Sequence, residues 1–335
     1  MRLCVDYRQI FRAAENDGYK IQIIIDLLMF IYYLLLIVGV MLAVTRGILI
    51  KKTKRSESAF QTIRFNVMLF IVAFVALLPF ALSNIGNFSE QSIFFALIYG
   101  LLLMIAIIFG IEAIELGSVS LSMLFSQCGF LIPTIFNAIF FKESINALSI
   151  AGIALIVVAL FMTIDKSDKK FSVKWLVFAV LSLVCSGVIG IVQKFNGVYY
   201  PNADTSLFIE ISLVFAILAG LLTMLFLYLK EKRSLSSVSE NVAAPVAPES
   251  KKQRIIRCVC VVLIGALLGI INVFNTFLAG KLPSVVYFPV YNVGVIILVT
   301  VASAILFKER LNVKQIISIA IGSLAIILIA VGRIV

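Results

Sequence analysis

Residues that could hold a polar solute recur at helical spacing along this sequence. Ser118, Ser122, Ser126, Gly129, Pro133 and Asn137 follow one another at intervals of 4, 4, 3, 4 and 4. At 3.6 residues per turn they make one small, polar stripe. Ser182, Ser186, Gly190 and Gln193 repeat the pattern at 4, 4 and 3, with Lys194 beside the last. Gly265, Gly269, Asn272 and Thr276 do so at 4, 3 and 4, with Asn275 adjacent, and Tyr291 and Asn292 stand farther along. Amides donate and accept at once, so such a set can meet both a carboxylate and an amine. Small residues on one helical face also serve as packing seams. Gly265–Gly269 and Ser182–Ser186–Gly190 are read as seams, and Asn137 as a hydrogen-bonding contact to a neighbouring helix. Asn272, Asn275 and Asn292 are costlier to bury in a seam. The candidate substrate-binding set is Ser126, Gln193, Lys194, Asn272, Asn275, Tyr291 and Asn292.

Chemistry beyond binding is hard to assemble. The chain has no histidine, which removes imidazole acid–base work and imidazole metal ligation. Cys258 and Cys260 fall on opposite faces of a helix, and Cys4, Cys128 and Cys185 are isolated, so no metal or redox spacing exists. Neither a phosphate-cradling Gly-Lys loop nor a serine nucleophile elbow is present. No catalytic residue, metal or cofactor is therefore expected, and an enzyme is not. Asp26, Glu112, Glu115 and Glu210 sit near the ends of apolar segments and read as interfacial. Glu143 and Glu309 follow apolar segments and read as turn residues that can cap the next helix. Lys194 either meets an anionic group or snorkels to an interface. No carboxylate stands in the middle of an apolar segment. That argues against a proton antiporter with a central glutamate.

The elements that must position these residues are membrane spans. Of 335 residues, 62% are hydrophobic and 13% charged, and the mean hydropathy is +1.14. A soluble domain needs about twice that charged fraction. The apolar residues come in blocks near the 20 or so required to cross a bilayer, which in the absence of alternating strands means helices. Ten spans are predicted at about 27–48, 64–84, 93–114, 118–140, 146–164, 174–196, 206–229, 257–279, 285–306 and 312–332. Residues 1–20 form a polar tail without the pattern of a signal peptide. A Ser/Ala/Pro-rich linker at 230–254 reads as a flexible tether. The net charge of +11 lies in loops between spans, where the positive-inside rule accounts for it without a nucleic acid. The expected partners are the lipid bilayer and a small polar solute, a homodimer is an open alternative to a monomer, and the expected location is the plasma (inner) membrane, multi-pass.

An internal repeat orders the spans. Phe141-Lys142-Glu143 and Phe307-Lys308-Glu309 align at an offset of 166 residues, as do Ser118-Val119 and Ser284-Val285, without a gap. At that offset Ser126 meets Asn292 and Phe125 meets Tyr291. These features resemble the drug/metabolite transporter superfamily in its ten-span EamA-like form. The resemblance is carried by Phe141-Lys142-Glu143 with Gly152 nine residues later, by Pro133, by Phe307-Lys308-Glu309, and by Arg64-Phe65 and Gln193-Lys194. It covers about residues 25–333. The second half departs from the pattern, with Val299 for Pro133 and Ser318 for Gly152. The resemblance implies an all-α membrane protein of two inverted five-helix repeats, 21–165 and 171–335, around a central solute cavity with alternating access. The predicted function is a permease for a small polar metabolite such as an amino acid. A non-transporting membrane sensor or structural protein, and an integral membrane enzyme, are the rival classes.

Orientation divides the two lines of argument. With ten spans, 8 of the 28 Lys and Arg lie on the side of the termini and 20 on the other. The positive-inside rule makes the 20-charge side cytoplasmic and places the termini outside. The family resemblance implies the reverse. The charge bias is a property of this chain and is followed here.

Overall fold

The computed structural model describes residues 2–53, 58–83, 90–117, 119–162, 172–201, 204–235, 251–308 and 312–332. Eleven helices stand among them, and no strand: α1 (Arg2–Thr53), α2 (Ala59–Ser83), α3 (Ser92–Leu116), α4 (Val119–Cys128), α5 (Leu131–Phe140), α6 (Ala147–Met162), α7 (Val173–Tyr199), α8 (Thr205–Leu235), α9 (Lys251–Lys281), α10 (Ser284–Phe307) and α11 (Val313–Val331). Eight are long and apolar enough to cross a membrane, and Phe125–Phe140 and Ala147–Met162 are shorter apolar stretches. The protein is an all-α membrane protein. Its outward faces carry large apolar side chains such as Phe30, Ile37, Val75, Phe94 and Leu222, each more than half exposed. Buried polar residues face inward, the arrangement lipid demands.

Helix bounds modify two expectations. The backbone of the polar tail continues the helix of the first span, because α1 begins at Arg2. The expected tether is shortened at both ends, since α8 runs to Leu235 and α9 starts at Lys251; residues 236–250 lie outside the described residues. Glu309 lies outside them as well.

The predicted fourth span is broken into α4 and α5, and Pro133 explains why. A proline has no N–H for the carbonyl four residues back, and its ring crowds that carbonyl. Here that carbonyl is Gly129 O, which instead accepts from Ile132 N at 3.2 Å. Gly129 N likewise donates to Ser126 O at 3.3 Å. The backbone tightens to three-residue hydrogen bonds and turns. The aligned position in α10 is Val299, and α10 is continuous there.

Packing contacts fix the directions of the helices. Ideal side chains built at Gly39 and Gly47 of α1 would meet Tyr291 and Val299 of α10, so these helices run parallel. Gly265 and Gly269 of α9 meet Val72 and Leu77 of α2, also parallel. The α3–α7 pair is antiparallel: Ser92 bonds to Asn196 and Ser182 bonds to Ala106 O. So is α6–α11, where Gly152 faces Ile329 and Ser318 bonds to Ala159 O. These directions match one crossing per span, with α4 and α5 counted together. The Gly265–Gly269 seam lies at α2 and Ser182 at α3, while Ser186 and Gly190 of the same stripe meet Gly129 and Pro133 at the α4–α5 break.

The contacts also exchange among themselves when α1–α6 are swapped with α7–α11. The pair α3–α7 becomes α9–α1, α3–α8 becomes α9–α2, and α1–α10 becomes α7 against α4 and α5, while α2–α8 and α6–α11 map onto themselves. Finer features follow. Lys142 and Lys308 both adopt left-handed backbone, φ 52 and 53. Lys194 stands over the Phe141 ring and Lys51 over the Phe307 ring, with Nζ 5.7 and 5.2 Å from the centroids. The most extensive contact without a counterpart is that between α7 and α9. At Gly197 and Gly280, α7 and α9 approach so closely that a Cβ on Gly197 would lie 2.6 Å from Gly280 Cα. The pair α1–α3 has no contact of comparable extent.

Candidate functional site

Two large apolar clusters and a small one around Ala113, Trp175 and Ala179 form the core, and the polar candidates lie along the seam between the large two. One gathers α1, α9, α10 and α11 side chains around Leu36, Tyr287, Tyr291 and Ile329. The other gathers α2, α3, α7 and α8 around Phe70, Tyr99, Phe208 and Leu213. Helix α9 serves both, with Leu268 in the second and Ile271 and Leu278 in the first. Asn272 stands between Leu268 and Ile271 on one side and Asn275 on the other, so the helix that joins the clusters carries the amides.

The first polar group is a chain through three helices. Tyr99 Oη donates to Asn272 Oδ1 at 2.8 Å and accepts from Gln193 Nε2 at 3.0 Å. Asn272 Nδ2 donates back to Leu268 O of its own helix at 2.9 Å. Tyr99 is fully buried, and a buried tyrosine hydroxyl ordinarily has such a partner. The second group is on α10. The Tyr287 and Tyr291 rings stack with centroids 5.8 Å apart. Tyr291 neighbours Asn275 of α9 and lies within electrostatic reach of Arg46 of α1. The buried Oδ1 of Asn275 and Nε of Arg46 have no hydrogen-bond partner among the described residues. Asn292 donates from Nδ2 to Phe288 O at 2.8 Å.

The third group is an ionic latch. Lys194 Nζ is 3.1 Å from Glu143 Oε1 and donates to Leu282 O at 2.9 Å. Glu143 in turn accepts from Ser284 N at 2.7 Å, Ser284 Oγ at 3.1 Å and Val285 N at 3.4 Å. Its carboxylate therefore caps α10, where unpaired N–H groups and the helix dipole favour a negative charge. The helix capped is distant in sequence, not the next one, α6. Lys194 meets an anionic group, as one of its two readings had it, and that group belongs to the protein. Because Glu143 caps the start of α10 and Lys308 closes its end, the two Phe-Lys turns lie at opposite ends of a 24-residue helix.

The seven candidates thus fall into parts. Gln193 and Asn272 meet through Tyr99, Tyr291 and Asn275 meet beside Arg46, Lys194 is in the latch, and Asn292 is one residue from Tyr291. Ser126 stands at the break between α4 and α5. Three residues of this region were not among the candidates. Tyr99 carries the one polar side-chain group in the apolar run 93–111, and that exception was its signal. Arg46 was counted with the loop charges, although Thr45 and Gly47 flank it inside the span. Glu210 was read as interfacial, but α8 begins at Thr205, so it lies a turn and a half inside the helix. It is 6% exposed, and both carboxylate oxygens lack partners among the described residues. No group of three His, Cys, Asp or Glu stands together there that could hold a metal.

Residues 30–164 match the EamA-like transporter family. The match covers about two-fifths of the chain, most of its first six helices, and over that stretch the chain is similar to this family. The family lies within the drug/metabolite transporter superfamily, whose members of this type are membrane transporters. A solved structure titled only "Crystal structure of protein" is similar with a TM-score of 0.68 at 14% identity, over 90% of this chain and 97% of that one. At that identity the likeness speaks for a shared fold alone. No curated protein matches the sequence.

Proposed function

We propose that this EamA-like protein is a permease that moves a small polar metabolite, an amino acid or related solute, by alternating access through a site between its two halves. The carrying observation is the polar seam of Gln193, Tyr99, Asn272, Asn275 and Tyr291, buried where the apolar clusters meet. Polar groups this deep in a bilayer are expensive and mark solute pathways. Transporters built from inverted repeats place their sites at the repeat interface, often beside a broken helix. The exchanging contacts support repeats at 21–165 and 171–335, and the α4–α5 break beside Ser126 supports such an interface. The unmatched α7–α9 approach and the latch lie at one end of the bundle. They support one of two alternating states, with that end shut. The fold suits the plasma (inner) membrane, multi-pass.

The test is reconstitution of the purified chain in liposomes with uptake of labelled solutes. Asn275→Ala and Asn292→Ala should each lower the initial rate at least tenfold with unchanged membrane abundance. Wild-type rates in both variants would sink the site. Binding without flux would instead identify a sensor.

A further inference from the structure

We infer that Arg46 is the anchor for a carboxylate on the transported solute, so that the site selects amino acids and small organic acids over uncharged solutes. This rests on the transport reading above and adds the charge that reading left open. Arg46 belongs to α1, whose apolar span covers Gln22–Thr53. By sequence it could reach for the nearer interface. The contacts place it otherwise. Gly39 is level with Tyr291 and Gly47 with Val299, so the Arg46 backbone stands about two turns along from Tyr291. Long helical side chains lean towards the helix N-terminus, and for α1 that direction leads to Tyr291. Arg46 indeed reaches the electrostatic neighbourhood of the Tyr291 hydroxyl.

An arginine placed there lacks what a structural arginine would have. Its Nε is shut off from solvent without a hydrogen-bond partner, and among the described residues it joins no ion pair. Lys194 shows the contrast, since its charge is met by Glu143 and by Leu282 O. The residue as a whole is part-exposed, so its fork is open to an incoming anion while its Nε is orphaned, a cost that a matching anion relieves. The guanidinium fork suits a carboxylate, held by two parallel N–H···O bonds. The partnerless Oδ1 of Asn275, next to the same tyrosine, is an acceptor for a solute N–H. A carboxylate at Arg46 with an ammonium towards Asn275 satisfies both orphans at once.

The full chain in proteoliposomes is tested with labelled leucine, glutamine, glutamate and lactate as carboxylate probes, and with uridine and glucose as uncharged ones. At least one carboxylate probe should accumulate, and its free acid should compete at least tenfold better than its carboxamide. Arg46→Gln should raise the half-saturating concentration tenfold or more, and Arg46→Lys should recover part of it. A purely structural arginine would change abundance without separating acid from amide. Should Arg46→Gln fail to fold, the acid–amide comparison on the unaltered chain decides alone. Equal competition by acid and amide, or uptake of only uridine or glucose, would overturn the inference and leave the transport reading standing. If no probe moves, both fall.

Discussion

Removal of the Tyr99 hydroxyl is the sharpest single-atom change available. Tyr99→Phe keeps the ring and leaves Gln193 Nε2 and Asn272 Oδ1 without their shared partner. Buried orphans cost about 1–3 kcal/mol in soluble proteins, and membrane hydrogen bonds average nearer 0.6 kcal/mol. The smaller figure governs, because both amides keep other options within a helix bundle. Tyr99→Phe should cost roughly 1 kcal/mol in a denaturation titration in micelles. A loss above about 3 kcal/mol would mean that the ring packing was disturbed too. Glu143 and Lys194 offer a larger effect. Either single change to alanine strands a buried charge, at about 3–5 kcal/mol, whereas removal of both leaves no stranded charge. The double variant should be more stable than the sum of the singles implies, by at least about 1 kcal/mol. Simple additivity would show that the latch is not an energetic unit.

The α7–α9 crossing depends on two glycines. A methyl group at Gly197 would fall 2.6 Å from Gly280 Cα and 3.2 Å from Thr276 O. Neither neighbour is a flexible side chain that can swing away, so the helices must part. Gly197→Ala should destabilise by about 1–3 kcal/mol, as overpacking does, and thermal unfolding in detergent would measure it. A neutral result would mean that this end of the bundle opens freely. Element existence was legible in the sequence because each span is a long apolar block. The broken fourth span was legible only as Pro133; its division into α4 and α5 depends on which carbonyl the proline leaves for Ile132. Gln193 and Asn272 could be chosen by spacing. Their junction could not, because Tyr99 is 94 residues from Gln193 and 173 from Asn272. Arg46 escaped because a charge near a span end reads as a loop residue until a facing helix fixes its depth.

At the scale of the whole molecule, orientation is the open prediction. Residues on the 20-charge side, including the 230–254 linker, are predicted to face the cytoplasm. A single cysteine at Ser237, in a background where Cys258 and the other native cysteines are replaced, should resist a membrane-impermeant thiol reagent on intact cells. Cys258 must be among those removed because it is exposed at the start of α9. Labelling of Ser237→Cys from outside would reverse the orientation and place both termini in the cytoplasm.

Trp175 gives this protein a built-in optical gauge. It is the one tryptophan in the chain, so all indole emission comes from a single place near the start of α7. That place is 2% exposed. The indole Nε1 donates to Ser122 Oγ of α4 at 2.9 Å, the ring meets Phe125 edge-on at 5.5 Å, and Gly117 leaves it space that no other side chain could yield. It lies at the far end of α7 from Lys194, so it senses the mouth that the ionic latch does not touch. Emission from the resting protein should be blue-shifted relative to tryptophan in water. A solute that draws α4 away from α7 wets the indole and moves the spectrum to the red, and collisional quenching by iodide rises with it. Transport can then be watched in unlabelled protein, one fluorophore per molecule, with no engineered probe to disturb the cycle.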